Sequence, residues 1–535
     1  MAVKSLLTGL TLLLSIAGAV ASDGLTVVTE TGTIHGFINS RTPQVRQFRT
    51  VPYALPPTGS RRFMPPQPLP RNPDHQINAT QFPPSCPQFK TRVDGIFQNL
   101  EPGSAIPNIG QNSTAGEVAS SSDEDCLNLA IWVPVSNGTE KGLPVVFFVP
   151  GGGFITGGLD EDVQKPHHWV QRSQRHIVVS INYRMSIFGW PNAPGLESPN
   201  VGMLDMRLAL EWVRDNIAAF GGDPDRVILW SQSAGAVMLD MYSYPQHDDT
   251  ISAGVHIDSG SIIPVAASNK SPDLSRSNFT YVAEHVGCSG LSKSPKEQFH
   301  CMQRVPWETI AHFVGQYLDK QAIVDPTMPI LPFTPVPDNV TVFENYPQRF
   351  LEKMYSNLPT ILSNCANEGS AVYPAGPVLE AYFQNGTWPD QTYINTITLQ
   401  NFVCPAAETT RNRVSIGAPT YRYQYAANIT TVPAFPFLGA HHGADLPSIT
   451  GSWRDIVGVP PERRFAAAVE EAMQDALVAF AEGLEDGMER VGWPEAGTGK
   501  MLRFGGGGEA VKTVNIEEAD GACSRGRSGT YRWSY

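Results

Sequence analysis

The sequence lacks any cluster of basic residues. Its 535 residues include 38 lysine and arginine side chains against 51 aspartate and glutamate side chains, for a formal net charge of -13. Proteins that bind nucleic acid carry basic patches that neutralise phosphates. The acidic balance and the scattered basic residues therefore argue against a nucleic-acid partner.

Metal-binding and redox cysteine motifs are also lacking. The 7 cysteines are scattered along the chain, and none stands in a Cys-x-x-Cys or Cys/His ligand spacing. Because structural zinc sites use such clustered ligands, we expect no metal and no cofactor. An odd number of scattered cysteines instead favours disulfides with one thiol left over.

Long apolar runs are absent beyond the N-terminus. The one long run, 6–20, follows Lys4 and ends in the small-x-small sequence 19–21. This pattern is typical of a secretory signal peptide. A membrane anchor is the alternative, but the run is short and contains two glycines. We expect 1–21 to be a signal peptide, the mature chain to begin near Ser22 and be secreted, and no segment to span a membrane.

Acceptor sequences for N-glycosylation agree with secretion. Eight Asn-x-Ser/Thr sites occur. A single site could be a chance match, but eight together are typical of a protein that passes through a glycosylating pathway. They are Asn78, Asn112, Asn137, Asn269, Asn278, Asn339, Asn385 and Asn428.

The chain shows no internal repeat and no clear interdomain linker. It alternates short apolar runs with amphipathic segments, which predicts an α/β fold with a mostly parallel sheet covered on both faces. We expect 22–535 to form a single domain. Strands are predicted at 145–149, 177–182, 227–230, 359–363 and 421–425, and helices at 204–220 and 464–484.

The segment LWSQSAGA, 229–236, matches the Gly-x-Ser-x-Gly motif of a nucleophile elbow except that Ser231 replaces the first glycine. The alternative is a serine-rich turn that only looks like one. In an elbow the nucleophile sits on a strained turn between a strand and a helix, so the residues two positions away on each side must be small. Ser231 and Gly235 meet that condition around Ser233, whereas Leu229 would crowd a turn centred on Ser231. Ser233 is therefore the predicted nucleophile.

A run of glycines, 151–153, directly follows the predicted strand 145–149. Such a run could be a flexible loop or a phosphate cradle, but a phosphate loop needs a lysine that is absent here. Glycine lets backbone N–H groups turn toward a substrate oxygen. We interpret the run as part of an oxyanion hole, which acyl transfer requires.

Four further segments carry a recognisable pattern: 48–68 (FRTVPYALPPTGSRRFMPPQP), 124–129 (EDCLNL), 182–184 (NYR) and 201–236. They resemble the type-B carboxylesterase family, which includes cholinesterases and certain fungal lipases. The resemblance covers nearly the whole mature chain. It implies an α/β-hydrolase fold, with a large, central, mostly parallel sheet flanked by helices and an active site in a gorge.

The resemblance also implies the partners of Ser233, in the order serine, acid, histidine. The segment NEGS is similar to the family's acid motif, which makes Glu368 the expected acid. On its own, a carboxylate at a strand end would be an ordinary loop residue. The segment HHGAD resembles the family's His-Gly segment, which makes His442 the expected base and His441 the alternative.

The same resemblance implies supporting groups around these three residues. The expected oxyanion donors are the N–H groups of Gly152, Gly153 and Ala234. Ser259 resembles a serine that lies beside the acid. The implied disulfides are Cys86–Cys126, Cys288–Cys301 and Cys404–Cys523, with Cys365 left as a buried free thiol.

Two departures from the family pattern bear on the substrate. Gln232 precedes the predicted nucleophile where the family usually has glutamate, and no tryptophan lies between Cys86 and Cys126. Cholinesterases have a tryptophan in that loop which binds quaternary ammonium through its ring face. Both departures argue against choline esters.

The function expected from these features is that of a secreted serine carboxylic-ester hydrolase. It would act through an acyl-enzyme on uncharged small to medium esters. One alternative is an acyltransferase or lactone-forming enzyme that uses the same triad, and another is a non-catalytic binding protein on the same fold. The sequence predicts no oligomeric state.

Overall fold

The computed structural model describes most of residues 24–524. The expected signal peptide, 1–21, and the acceptor sites Asn112, Asn137 and Asn269 lie outside the described residues. The described segments are 24–89, 122–135, 142–245, 251–262, 273–325, 327–372, 384–385, 390–429, 437–455, 463–483 and 486–524.

Fourteen strands lie within these segments and form two sheets. In chain order they are β1 (Thr26–Val28), β2 (Thr33–His35), β3 (Phe37–Ile38), β4 (Val45–Pro52), β5 (Gln76–Asn78), β6 (Asn128–Pro134), β7 (Leu143–Val149), β8 (Ile177–Ile181), β9 (Gly222–Gln232), β10 (Gly254–Asp258), β11 (Thr360–Cys365), β12 (Thr420–Tyr425), β13 (Lys500–Phe504) and β14 (Val511–Asn515).

The larger sheet has eleven strands in the order β14-β13-β12-β11-β10-β9-β7-β8-β6-β4-β3. Neighbouring strands from β8 to β13 pair in parallel, and those nearer the two edges pair antiparallel. The expected α/β-hydrolase architecture, a large and mostly parallel sheet, is therefore confirmed. The smaller sheet has the order β1-β2-β5.

The central strands are apolar on both faces because both faces are covered. Along β7, Val145, Phe147 and Val149 pack into one hydrophobic core, while Val146 and Phe148 pack into the other. This division follows from the alternation of side chains along a strand. It explains why the strand reads as a continuous apolar run rather than an alternating one.

Fifteen helices lie in the described part of the chain. They are α1 (His167–Ser173), α2 (Ser186–Gly189), α3 (Val201–Asn216), α4 (Ala234–Tyr242), α5 (Ser277–His285), α6 (Pro295–Met302), α7 (Trp307–Ile323), α8 (Tyr346–Leu351), α9 (Gly369–Val372), α10 (Gln391–Thr398), α11 (Cys404–Ser415), α12 (Leu446–Thr450), α13 (Arg463–Glu482), α14 (Asp486–Arg490) and α15 (Glu517–Ser524).

All five predicted strands and both predicted helices are present, with ends that differ by a few residues. The helix expected at 204–220 is α3, which ends at Asn216 and continues as the 3-10 turn Ile217–Phe220. Gly221 stops this turn with a left-handed φ of 92°. Helices α3 and α13 pack into different cores, which places them on opposite faces of the sheet.

Two buried ion pairs anchor the segments on which the family resemblance depends. Arg62 forms two hydrogen bonds with Glu124, at 2.5 and 2.6 Å. Arg184 likewise holds Asp205, at 2.8 and 2.6 Å, with both side chains buried. Removing one partner of such a pair leaves an uncompensated buried charge, at a cost of about 3–5 kcal/mol. These motifs therefore serve the fold that surrounds the site.

The structure contains the three disulfides expected, Cys86–Cys126, Cys288–Cys301 and Cys404–Cys523, and leaves Cys365 as a buried free thiol. No described helix is both long enough and apolar enough to cross a bilayer. Among the described acceptor sites, Asn278 is half-buried, and its amide nitrogen donates to the carbonyl oxygen of Pro332 at 2.9 Å. The exposed acceptor sites are Asn78, Asn339, Asn385 and Asn428.

Candidate active site

The carboxyl ends of three parallel strands bring the predicted site residues to one edge of the sheet. The glycines 151–153 follow β7, Ser233 follows β9 and Glu368 follows β11. The loop between β12 and α12 carries His442. In open α/β sheets, ligands bind in the crevice outside the carboxyl ends of the strands, where the strand order reverses.

Ser233 stands on a tight turn between β9 and α4. Its backbone is strained, with φ 59° and ψ -129°. Gly235 is required beside it, because a Cβ there would lie 2.1 Å from Oγ of Ser231 and 2.6 Å from the carbonyl oxygen of Val149. Strain of this kind persists only where the surrounding fold imposes it, and it marks functional sites. This is the geometry of a nucleophile elbow.

The hydroxyl of Ser231 is already engaged. It is fully buried and donates to the carbonyl oxygen of Val149 at 2.5 Å. Ser231 occupies the position where an elbow usually has glycine, and its hydrogen bond offsets the cost of burying a hydroxyl there. The structure therefore presents Ser233, and not Ser231, to the site.

Three side chains form a continuous hydrogen-bonded chain. Oγ of Ser233 lies 2.8 Å from Nε2 of His442. Nδ1 of the same imidazole lies 2.6 Å from Oε2 of Glu368. The three residues come from separate parts of the sequence, and the structure brings all three predicted side chains together.

The other oxygen of Glu368 is held by two donors. Ser259 donates its hydroxyl to Oε1 at 2.7 Å, and the backbone N–H of Cys365 donates to the same oxygen at 2.6 Å. Glu368 is fully buried. Its carboxylate therefore has one oxygen fixed by the protein and one directed at His442.

His441 is directed away from this chain. Its Nδ1 lies 2.9 Å from the carbonyl oxygen of His442. Burial lowers the pKa of His441 to about 4, so the ring is neutral at pH 7. Of the two histidines, only His442 links Ser233 to Glu368.

The turn after β7 requires glycine at position 152. Gly152 has φ 107°, and a Cβ there would lie 2.0 Å from the carbonyl oxygen of Thr156. Among the described residues, the N–H groups of Gly152 and Gly153 have no hydrogen-bond acceptor. Ala234 begins α4, and the first N–H groups of a helix have no partner within it. These three amides can serve as donors to an anionic oxygen beside Ser233.

Such an arrangement can raise the nucleophilicity of a serine. His442 can remove the hydroxyl proton of Ser233, and Glu368 can hold the imidazole in the required tautomer and stabilise the imidazolium that forms. The glycine amides can stabilise the negative charge that nucleophilic attack places on a carbonyl oxygen. The chemistry available is therefore acyl transfer through a covalent intermediate.

A second pair of carboxyl groups lies beneath this chain. Asp258 and Asp445 are both fully buried. Ser363 donates to Oδ1 of Asp258 at 2.8 Å, and Tyr423 donates to Oδ2 of Asp445 at 3.2 Å. The remaining oxygens, Oδ2 of Asp258 and Oδ1 of Asp445, have no N–H or hydroxyl donor among the described residues. We infer that a proton shared between the two carboxyl groups satisfies both of these oxygens.

Burial and neighbouring charge explain why this proton is retained. Burial, together with the charge of Asp445, raises the pKa of Asp258 well above its ordinary value. Burial and the charge of Glu368 raise the pKa of Asp445. Burial likewise raises the pKa of the Cys365 thiol, which is therefore a poor nucleophile.

Replacing Asp258 by asparagine is expected to make the protein more stable at alkaline pH. A carboxyl group with a raised pKa binds its proton more tightly in the folded state, so stability falls as pH rises from about 3.9, the unfolded value, toward the raised value. The amide of Asp258→Asn supplies a permanent donor to Asp445 and removes this loss. We expect Tm to rise by a few degrees at pH 8 and to change little at pH 4.

The measurement is thermal unfolding followed by circular dichroism between pH 4 and pH 9. Asp215→Asn is the matched control, because Asp215 is an exposed carboxylate that pairs only with Arg214 among the described residues. Its Tm curve should parallel that of the wild type. A Tm for Asp258→Asn that stays below wild type at every pH would rule out the shared proton.

A cavity of about 420 Å³ opens beside the glycine turn. Its lining is mainly apolar and includes Phe89, Gly152, Ile155, Phe188 and Leu318. Because Gly152 belongs to both the turn and the cavity wall, a group placed in the cavity lies close to the candidate oxyanion donors. The volume is near the lower end of the range found for small-molecule sites.

The structure places three further residues near the site. Phe402 lies in the π-helical turn Leu399–Val403 and packs on the ring of His442, with 4.8 Å between ring centroids. The amide nitrogen of Gln232 lies 3.2 Å from Nε2 of His442. Tyr183 donates to the carbonyl oxygen of Pro150 at 3.0 Å, which holds the strand end before the glycine turn. Tyr183 lies within the NYR segment and Gln232 stands out as a departure from the family pattern, whereas Phe402 had no signal in the sequence.

An elbow serine at the carboxyl edge of a large, mostly parallel sheet defines an α/β-hydrolase. Within that class, the chain belongs to the carboxylesterase family, whose family model matches residues 23–384. This membership agrees with the resemblance seen in the four sequence segments.

Individual relatives cover most of the chain. The chlorogenic acid esterase of Aspergillus niger is 36% identical over 521 residues, which is 94% of each protein. The secreted lipase 5 of Gibberella zeae is 34% identical over 510 residues, or 92% of each. The cholinesterase of Mus musculus is 36% identical over 290 residues, or 52% of this chain and 43% of that enzyme. The protein is thus a carboxylic ester hydrolase, and the alternative of a non-catalytic binding protein is wrong.

Proposed function

We propose that the protein is a secreted serine esterase that cleaves uncharged, small to medium carboxylic esters through an acyl-enzyme. Ser233 is the nucleophile, His442 the general base and acid, and Glu368 the residue that orients the imidazole. The observation that carries the proposal is the continuous hydrogen-bonded chain from Ser233 through His442 to Glu368, at 2.8 and 2.6 Å.

The reaction has two halves. Oγ of Ser233 forms a bond to the ester carbonyl carbon while His442 takes its proton, and the carbonyl oxygen becomes an oxyanion held by the N–H groups of Gly152, Gly153 and Ala234. The bond to the alcohol oxygen then breaks, and His442 returns the proton to the leaving alcohol. Water, deprotonated by the same imidazole, then releases the acid. Each oxyanion donor contributes about 3 kcal/mol to the transition state.

The preference for uncharged esters rests on the lining of the site. The cavity beside Gly152 is bordered mainly by apolar side chains, which favour an uncharged substrate group. Gln232 places a neutral amide, rather than a carboxylate, 3.2 Å from His442. The loop between Cys86 and Cys126 has no tryptophan to bind a quaternary ammonium group.

Secretion is supported by the three disulfides and by relatives that are named secreted lipases. Disulfides persist in oxidising compartments and are rare in the cytosol. The predicted signal peptide and the exposed acceptor asparagines agree with this location.

A panel of p-nitrophenyl esters with graded acyl length tests the substrate class. We expect the highest kcat/KM for short to medium acyl chains, because the cavity is small. Acetylthiocholine should be hydrolysed at least about tenfold less efficiently than an uncharged acetate ester, since the loop between Cys86 and Cys126 has no tryptophan to bind the cation. A higher kcat/KM for acetylthiocholine would contradict the proposal.

The same assay separates hydrolysis from acyl transfer, which would use the same triad. Products are measured by chromatography with and without an added alcohol acceptor. Free acid as the main product in both conditions supports a hydrolase. A new ester as the main product at low alcohol concentration would instead assign the protein as an acyltransferase.

A further inference from the structure

Two histidines and an aspartate outside the candidate active site bring their ligand atoms together. His167 and His168 begin α1, and Asp455 follows the 3-10 turn Ser452–Arg454. Nε2 of His167 lies 2.6 Å from Oδ2 of Asp455, and Nε2 of His168 lies 3.1 Å from the same oxygen. In the part of the chain that the structure describes, no other group of three His, Cys, Asp or Glu side chains is arranged to hold a metal ion.

Hydrogen bonding satisfies only part of this cluster. His167 forms a hydrogen bond with Asp455, whereas Nε2 of His168 lies 3.1 Å from the same oxygen without meeting hydrogen-bond geometry. One carboxylate oxygen therefore faces two ring nitrogens and forms a well-directed hydrogen bond with only one of them. A cation placed between the three side chains would engage both nitrogens and the carboxylate at once. We propose that His167, His168 and Asp455 form a zinc-binding site.

The three ligand atoms already lie within 4.8 Å of one another. Zinc binds histidine nitrogen and carboxylate oxygen at about 2.0–2.2 Å, so tetrahedral ligand atoms lie about 3.3 Å apart. The two nitrogen–oxygen distances, 2.6 and 3.1 Å, must lengthen by less than 1 Å. The side chains of His167, His168 and Asp455 are 12%, 14% and 26% exposed, so water can complete the coordination.

The donor set selects among metals. Two imidazoles and one carboxylate suit zinc and neighbouring transition metals, whereas calcium and magnesium prefer oxygen ligands alone.

The turn that carries Asp455 is held firmly against the segment before α1. Thr450 and Ser452 both donate their hydroxyl groups to the carbonyl oxygen of Val163, at 2.9 and 3.0 Å. Trp453 donates its ring N–H to Glu470 at 2.7 Å. A metal site works best when its ligands are positioned in advance by such contacts.

Two basic residues lie near the cluster but leave it open. Arg41 approaches the other oxygen of Asp455 at 3.5 Å, and its side chain is 73% exposed, so its interaction is weak. Lys165 pairs with Asp162 at 2.6 Å. The oxygen that faces the two histidines therefore remains available to a cation.

The ligand spacing explains why this site is not evident in the sequence. His167 and His168 are adjacent, and Asp455 is far away along the chain, so no motif of regular spacing exists. The turn that carries Asp455 follows α12, which itself follows the loop of His442. Zinc would tie this segment to α1 and stabilise the fold.

The test is titration of the full-length secreted protein, without an affinity tag, with Zn²⁺ followed by calorimetry. We expect one ion per chain, and Tm should rise by roughly 3 °C in saturating zinc. In His168→Gln and Asp455→Asn the Kd should weaken at least about tenfold, because each removes one of three protein ligands. His285→Gln, a change at an exposed histidine of α5, should bind as wild type does.

Cobalt provides a second measurement that needs no variant. Co²⁺ bound by two imidazoles and a carboxylate should give intense visible absorption bands that Zn²⁺ abolishes by displacement. Absence of stoichiometric zinc binding, binding unchanged in both ligand variants, or a cobalt spectrum identical to that of the aqueous ion would overturn the proposal. None of these readouts depends on esterase activity.

Discussion

Ser233→Ala is expected to lower kcat on p-nitrophenyl esters by roughly 10⁶-fold, while KM changes little. The variant loses the only hydroxyl among the described residues that is hydrogen-bonded to Nε2 of His442. Without it no acyl-enzyme forms. The remaining rate comes from direct attack of water on the ester, with the oxyanion donors stabilising the negative charge that forms. Those donors alone retain roughly 10³–10⁴-fold catalysis over the uncatalysed reaction. Folding should be preserved, because alanine tolerates the same turn at the end of β9 nearly as well as serine.

Covalent labelling identifies the reacting residue directly. A fluorophosphonate should add one group to the wild-type protein, and mass spectrometry of the peptides should place it on Ser233. Ser231→Gly is the matched control, since it removes a neighbouring hydroxyl that points at Val149 and restores the glycine usual in an elbow. It should label normally and keep kcat within about tenfold of wild type. Labelling of Ser231, or of neither serine, would refute the proposed mechanism.

The elbow could be predicted because its signals are local. A strand, small residues on both sides of Ser233 and a following helix all lie within one short stretch. The α/β architecture is predictable for a similar reason: buried strands such as β7 and β8 are apolar on both faces and stand out as short runs. Helix ends are less certain, as α3 shows. Its last turn becomes a 3-10 turn before Gly221, a change that periodicity alone does not indicate.

The partners of Ser233 could not be derived from local pattern. Glu368 follows a strand, as many ordinary loop residues do, and His442 lies in a loop after β12. Only the family resemblance distinguished these two residues. The pairing of Asp258 with Asp445 depends on how two distant segments pack beneath Glu368, and no property of either segment alone predicts it. The same holds for Phe402, whose π-helical turn places its ring on His442.

Glu368→Gln is expected to lower kcat by roughly 10⁴-fold without unfolding the protein. The reason is that the protein fixes the orientation of the new amide. Ser259 and the N–H of Cys365 both donate to the Oε1 position, so only the amide oxygen fits there. The amide nitrogen must then face Nδ1 of His442 and donate to it. This places the imidazole proton on Nε2. Nε2 can then no longer accept the proton of Ser233.

Matched variants distinguish this tautomer effect from a loss of charge or of structure. Glu368→Asp keeps the acceptor but shortens its reach, so we expect a smaller loss, about 10²-fold, with a normal pH profile. Nuclear magnetic resonance should show the low-field Nδ1 proton of His442 in the wild type and in Glu368→Asp, but not in Glu368→Gln. If Glu368→Gln retained kcat within tenfold of wild type, the carboxylate would not orient the base. The acid would then have to be sought elsewhere, and one buried candidate is Asp445, which follows His442 by three residues and interacts with Glu368 through its charge.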